Sequence, residues 1–365
     1  MLAAQASKHR SCMAFVGPCP PPLGGVAMAN ISAQRLLGEE FQEEVFNTSR
    51  GEDREDLYGK KGISEILVAF SLIAKYIGFV FSSKSKVFNI YVTSNLAFIR
   101  DIFFIIVARA MGKKIVAHLH SKTSGELFLS GFLLKLMGRI LGLCHTVIVL
   151  SDYHKAFFER HIKGTSLVVL ENFVFVDDLK PEKKRTELEF LYIGRLTRKK
   201  GFYDLLDAMD ILHRQGNSCV INVIGAAETD EKEAALRERI KSSGLSEMVR
   251  MHGLLSGEAK FSLFKRSAVL VFPSHFENSP IVLKEGLAAE QLIVCSDIQA
   301  NMNIVGALPA VMPFEPEQPE QLAAIITGLL EDTENTLQLS RKASCPKQAT
   351  DTHAKMTLSR IVNAF

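Results

Sequence analysis

The amino-acid sequence predicts an α/β protein of two doubly wound halves, on three observations. Short apolar runs alternate with longer amphipathic ones from Cys12 to Cys295. The short runs are Val, Ile and Leu with no polar alternation, which is what a parallel sheet covered on both faces requires. The alternation is interrupted once, by the charged stretch Asp177–Glu187 (DDLKPEKKRTE) with Pro181 inside it, and then restarts. Strand, crossover helix, strand, repeated, is a Rossmann-like pattern. Two such domains joined by one linker are expected to face each other across a cleft at the carboxyl ends of their sheets, where ligands bind.

Each element follows from its own pattern. In the first half the strands are expected at Cys12–Gly17, Lys86–Val92, Lys114–Leu119, Thr146–Leu150 and Ser166–Leu170. Helical stretches lie between them at Val26–Leu37, Ile63–Phe81, Leu96–Met111, Glu126–Leu141 and Asp152–His161. In the second half the strands are Leu188–Ile193, Cys219–Ile224, Val249–His252, Ala268–Phe272 and Leu292–Cys295. The helix Phe202–Gln215 puts Leu205, Leu206, Met209 and Leu212 on one face. Thr229–Ser243, Ser256–Arg266 and Ile281–Glu290 are further helices, and the tail Asp351–Phe365 is one more. The expected domains are residues 1–180 and 186–345, with 346–365 as a C-terminal helix that can pack back on the first.

Composition narrows the function classes. A chain of 365 residues suits two domains, and its formal charge of +3 argues against nucleic acid as the main partner. The charge is unevenly spread. Residues 1–185 hold 24 Lys and Arg against 17 Asp and Glu, a net +7, and the remainder hold 19 against 23, a net −4. A basic first half suits an anionic partner such as a membrane surface, although uneven surface composition gives the same numbers. The six cysteines are scattered without a CxxC pair and read as reduced thiols. The apolar stretch after Lys8, His9 and Arg10 is broken at Pro18–Pro22, too soon for a signal peptide. Ile63–Phe81 and Leu127–Leu143 are each interrupted by charges, so neither is expected to span a membrane. A cytoplasmic protein is expected, with the inner membrane face as a peripheral site.

Four groups of residues carry chemistry. Gly194-Arg195-Leu196-Thr197-Arg198-Lys199-Lys200-Gly201 follows a strand and opens a helix. A diphosphate needs cations and free backbone N–H groups, and a helix start beyond a strand supplies the latter. Arg195 can chelate phosphate oxygens as a fork and Lys200 adds a point charge; a solvated basic loop is the other reading. In Pro273-Ser274-His275-Phe276-Glu277-Asn278-Ser279-Pro280, Glu277 lies at the carboxyl end of a strand. Glu285 follows eight residues on, so both carboxylates can face one ligand and accept from sugar hydroxyls. Backbone N–H groups around Ser279 and Ile281 make a second anion site. The glycine turn Gly24–Gly25 after Pro20-Pro21-Pro22-Leu23 lets backbone approach a ligand, or is a plain tight turn. His118 and His120 share one face of a strand, and His120 at its tip is better placed to reach substrate.

Together and in this order, these pieces resemble glycosyltransferase family 4, retaining nucleotide-sugar-dependent enzymes of GT-B fold. The resemblance is strongest over residues 188–305, through FLYIGRLTRKKGFYDLLDAM, VINVIG, VRMHGLL, VLVFPSHFENSPIVLKEGLAAE and VCSD. It extends more loosely to PPPLGGVA, AHLHS and VVLENFV. The spacing of Glu277 and Glu285 matches the family's two-glutamate motif. The resemblance implies that Arg195 and Lys200 bind the donor diphosphate, Glu277 the transferred sugar and Glu285 the ribose. It also implies that Gly24–Gly25 lie against donor phosphates and acceptor, and that His120 approaches the reacting sugar. Asn278 departs from the small residue that many members carry there, and the segment before the glycine turn departs as well.

The resemblance implies a retaining transferase that moves a hexose-type sugar from a nucleotide diphosphate sugar to a glycan or lipid-linked acceptor, in surface polysaccharide biosynthesis. No cofactor and no metal are expected, because no Asp-x-Asp motif lies between the strands and Arg and Lys stand ready for the leaving diphosphate. Two alternatives remain open: a nucleotide-sugar 2-epimerase, and an inactive glycosyltransferase-like scaffold.

Overall fold

A computed structural model describes residues 11–20, 25–49, 63–93, 96–120, 131–181, 183–277, 279–306 and 308–365. The chain divides into two compact units, Met1–Asn172 with Asp351–Phe365, and Phe173–Thr350.

The first unit carries β1 (Cys12–Gly17), α1 (Gly25–Leu37), β2 (Gln42–Asn47), α2 (Ile63–Ser82), β3 (Val87–Val92) and α3 (Leu96–Ala110). It continues with β4 (Lys114–Leu119), α4 (Gly131–Leu141), β5 (Thr146–Val149), α5 (Asp152–Phe158) and β6 (Ser166–Val169). Its six strands pair in parallel in the order β2-β1-β3-β4-β5-β6. Residues alternate between the faces, so Ala14, Val16, Phe88, Ile90, Ile115 and Ala117 enter one apolar core with Tyr76 and Phe104 from α2 and α3. Tyr91 and His118 point to the other face, where the Tyr91 hydroxyl donates to the Ala29 carbonyl of α1 at 3.3 Å. The pattern predicted five strands. The sixth, β2, is an edge strand (QEEVFN) in which Phe46 alone is buried, so it lacks the apolar run that marks a covered strand. The helix expected from Glu126 is seen from Gly131, and residues 121–130 lie outside the described residues.

The second unit begins with α6 (Val176–Leu179), β7 (Glu189–Ile193), a 3-10 turn at Arg198–Lys200, α7 (Phe202–Arg214), β8 (Val220–Ile224) and α8 (Asp230–Ser242). β9 (Val249–Met251), α9 (Gly257–Arg266), β10 (Val269–Phe272), α10 (Ile281–Ala288) and β11 (Leu292–Ser296) follow. α11 (Gln299–Val305), β12 (Val311–Phe314), α12 (Pro319–Glu331) and α13 (Thr333–Ser340) close the unit. The sheet is again parallel, in the order β12-β11-β10-β7-β8-β9. Phe190, Tyr192, Val269, Val271, Leu292 and Val294 feed one apolar layer. The intervening Leu191, Leu270, Phe272, Ile293 and Cys295 feed another, so this sheet is covered on both faces. β12, at the opposite end of the order from β9, was not expected; only Phe314 of its four residues is buried.

The division between units falls at Asn172, ahead of the charged stretch that marks the expected linker. The reason is packing: Val174 and Leu179 enter the apolar layer of the second unit. The last helix, α14 (Asp351–Asn363), belongs to the first unit, where Lys355 Nζ lies 2.6 Å from Glu39 Oε2 just past α1. Among the described residues no disulfide joins any of the six cysteines. Among the described residues no helix is long and apolar enough to cross a membrane.

Candidate active site

The order of the second sheet locates the site. From β7 the chain runs outward through β8 and β9, then returns to lay β10 against the other side of β7, with Val269 opposite Phe190. The strand order reverses between β7 and β10, and a ligand crevice opens at the carboxyl ends of such a pair. The loops leaving those two ends are residues 194–201 and 273–280, the two groups that the sequence singles out.

The first loop is folded tightly on its own strand. Tyr192, buried at the end of β7, donates its hydroxyl to the carbonyls of Arg195 at 2.9 Å and Lys200 at 3.3 Å. Burial pushes that hydroxyl far above the ordinary phenol range, so it remains a donor. Gly194 N–H donates to Ile224 O and Leu196 N–H to Ala226 O, anchoring the loop alongside β8. Gly201 turns the chain into α7 with φ of 67°, and a Cβ there would overlap the Pro273 carbonyl. A glycine is needed on both counts. The second loop is zipped to the first: His275 N–H donates to Lys199 O at 3.0 Å, and Ser274 Oγ donates to the same oxygen at 3.3 Å. His275 Nε2 lies 2.5 Å from Asp204 Oδ2 on α7. The Ser274 carbonyl takes a hydrogen bond from Ser296 Oγ at the end of β11.

Two lysine–carboxylate pairs stand in this frame. Lys200 Nζ is 2.5 Å from Glu277 Oε1, with the two side chains 24% and 11% exposed. Glu285, the fifth residue of α10, is held through Oε1 by Lys260 Nζ of α9 at 2.6 Å. Its other oxygen is buried without a partner among the described residues. Arg195 is exposed, and its guanidinium has no ion pair among the described residues. Arg198, by contrast, stacks 4.5 Å over the Tyr203 ring on α7. α10 starts at Ile281 behind Pro280, with no side-chain cap, and Ser279 precedes it. Asn278 lies outside the described residues. The site therefore offers cations, a helix start and two oriented carboxylates, a set suited to a diphosphate joined to polyhydroxylated groups.

Gly25 and His120 belong to the first unit, and Gly24 lies outside the described residues. Gly25 opens α1, and a Cβ there would meet nothing within 4 Å among the described residues. His118 and His120 do share a face: their rings are 4° from parallel, and both stack on Tyr91, at 4.7 and 5.5 Å. Burial drives both imidazoles down, His118 well below its ordinary value and His120 to about 4. Each Nε2 is buried without a partner among the described residues. Both rings are thus neutral near pH 7.

Sequence reasoning missed three contributors: Tyr192, the Asp204–His275 pair and Lys260. Lys260 had a signal. It precedes Leu263 and Phe264 by three and four residues, so a cation sits on the buried face of α9.

Residues 176–344 match the family described as "Glycosyl transferases group 1", nearly the whole second unit. The alpha-D-kanosaminyltransferase of Streptomyces kanamyceticus is 28% identical over 158 residues, which are 42% of this chain and 39% of that protein. The chain thus spans about two fifths of the length of that relative. The capsular polysaccharide biosynthesis glycosyltransferase CapH of Staphylococcus aureus is 23% identical over 295 residues, covering 77% of this chain and 80% of CapH. Among solved structures, Anabaena HepE in complex with UDP-glucose superposes with a TM-score of 0.72 at 16% identity, over 97% of this chain and 100% of HepE. The second unit carries the glycosyl transferases group 1 pattern, and the two six-stranded parallel sheets have the GT-B fold.

Proposed function

We propose that the chain is a glycosyltransferase that moves a hexose-type sugar from a nucleoside diphosphate donor to a glycan or lipid-linked acceptor, with retention at the anomeric carbon. The observation that carries this reading is the pair of lysine-held carboxylates at the switch point of the second sheet, beside the exposed Arg195. The group 1 match and the sugar-transferring relatives support it, as does the UDP-glucose named for HepE.

In the reaction the bond from the anomeric carbon to the diphosphate breaks, and a bond to the acceptor oxygen forms on the same face. The acceptor proton leaves with the diphosphate. Arg195 and Lys200 stabilise the charge that grows there, aided by the start of α10 at Ser279 and Ile281. Lys200 has three donors, so it can keep Glu277 and take a phosphate oxygen as well. Glu277 orients the sugar, and Asn278 beside it shapes the choice of sugar. Glu285 receives the ribose. His120, neutral, and the pair Gly24 and Gly25 are assigned to substrate contact. Because side chains supply the cations, no metal is required.

The first unit is assigned to the acceptor and to an anionic membrane surface at its cytoplasmic side. α2, α3 and α4 expose Phe81, Ile99, Ile106 and Leu136, with Lys75, Arg109, Lys135 and Arg139 exposed on the same helices. Apolar side chains among cations suit a lipid interface.

The test is a panel of nucleotide sugars assayed for release of free nucleotide and sugar, with the configuration of the product read by NMR. One donor should be hydrolysed slowly and transferred faster, with and without a chelator. An isomerised donor would mean an epimerase, and no turnover or binding of any donor would mean a scaffold. A strict need for manganese or magnesium would overturn the side-chain role assigned to the cations.

A further inference from the structure

Glu285 is 8% exposed, and its two oxygens are treated differently by the fold. Oε1 accepts from Lys260 Nζ at 2.6 Å across from α9. Oε2 is buried and has no partner among the described residues, an arrangement that costs free energy until a donor arrives. Lys260 is held in turn: its ammonium lies 5.5 Å from the ring centroid of Phe264, which is fully buried one turn on in the same helix. The two helices that carry the pair are tied together at their far ends. The Arg185 guanidinium donates to the carbonyls of Phe264 and Lys265 in α9, and to those of Ala289 and Glu290 just past α10. The carboxylate therefore has one oxygen occupied, one oxygen waiting, and little freedom to rotate.

Resting on the reading of Glu285 as the ribose contact, we propose that Lys260 is a positioning residue for ribose recognition. It clamps Oε1 and so reserves Oε2 as the acceptor for one ribose hydroxyl of a nucleoside diphosphate. The ammonium also balances the carboxylate while the site is empty. A ribose hydroxyl donates to Oε2 and satisfies it, whereas a deoxyribose lacking that hydroxyl leaves the buried oxygen bare. A site built this way rejects the analogue that lacks the donor.

The test is calorimetric binding of UDP, ADP and GDP and of their 2′-deoxy and 3′-deoxy forms. The intact protein should prefer the ribose form of the nucleotide it takes over one of the deoxy forms by about tenfold or more, the scale of a hydrogen bond to a charged group. Lys260→Met should bring that ratio close to one, and Lys260→Arg should keep most of it. Glu285→Gln should also lower it, and Lys260→Met added to Glu285→Gln should lower it no further, because the lysine acts through the carboxylate. Lys260→Gln and Lys260→Leu, with melting curves, stand beside Lys260→Met so that a folded variant is at hand. A structural role alone would weaken ribose and deoxyribose forms together. A full ratio retained in folded Lys260→Met would overturn the proposal and leave the donor reading standing. Binding of none of the diphosphates by the intact protein would overturn both.

Discussion

Lys200 and Glu277 make opposite demands on a bound nucleotide, and separating them tests the site most directly. Their contact is 2.5 Å, and the side chains are 24% and 11% exposed, so the pair is desolvated more than a surface ion pair and less than a core one. Removing one partner of a buried pair costs about 3–5 kcal/mol, and surface pairs contribute about 0–1. Lys200→Ala should accordingly destabilise the second unit by about 1–3 kcal/mol. It should also weaken nucleoside diphosphate binding by about 1.5–3 kcal/mol, the scale of a charge-assisted hydrogen bond. Glu277→Gln keeps an acceptor for the Lys200 ammonium but removes a negative charge near the phosphates. Binding of the bare diphosphate should hold or tighten, while the extra affinity of the sugar nucleotide over the diphosphate is lost. Arg195→Ala should match Lys200→Ala in binding at little cost to stability, because Arg195 is exposed. Titration calorimetry with diphosphate and sugar nucleotide, beside urea unfolding, reads all three. Unchanged diphosphate binding in Lys200→Ala and Arg195→Ala, or an equal loss in Glu277→Gln, would refute the assignment of the cations to the phosphates.

Three further outcomes are expected. Gly201→Ala should destabilise the second unit by about 2–3 kcal/mol, since its φ of 67° and the Pro273 carbonyl leave no room for a methyl group; an unshifted melting curve would contradict the contact. Burial lowers His120 from 6.5 to about 4, so the folded first unit binds fewer protons than the unfolded chain between those values. Stability is full above pH 6.5 and falls towards pH 4 by up to about 1.4 kcal/mol per pH unit for this histidine, and His120→Gln should flatten that slope in hydrogen exchange of the first unit. The protein should sediment with anionic vesicles and be released by salt, with each surface Lys or Arg contributing about 1 kcal/mol, and equal binding to neutral and anionic vesicles would favour a soluble acceptor.

The covered strands were legible because their signal is local. β3 (VFNIYV) and β10 (VLVF) are buried at every position, and a run of apolar residues between amphipathic stretches announces such a strand wherever it stands. The edge strands were not legible. β2 presents Gln42, Glu43, Val45 and Asn47 to solvent, and β12 carries Pro313, so neither has the run or the alternation that a pattern detects. The compact second unit begins ahead of the charged linker stretch for a related reason. Charge and a proline mark Asp177–Glu187, yet Val174 and Leu179 are drawn into a core whose other members lie up to about 170 residues away.

The sequence by itself determined the α/β alternation, the strand ends at which loops 194–201 and 273–280 begin, and the residue types those loops offer. These are properties of neighbours along the chain, governed by period and by turn chemistry. Only the tertiary structure decided that β10 returns to pair with β7, that Glu277 meets Lys200, and that Glu285 meets Lys260. Lys200 and Glu277 are 77 residues apart, and Lys260 reaches Glu285 from a different helix. Such partners are chosen by strand order and helix packing, which depend on contacts across the whole unit and leave no trace in any local period.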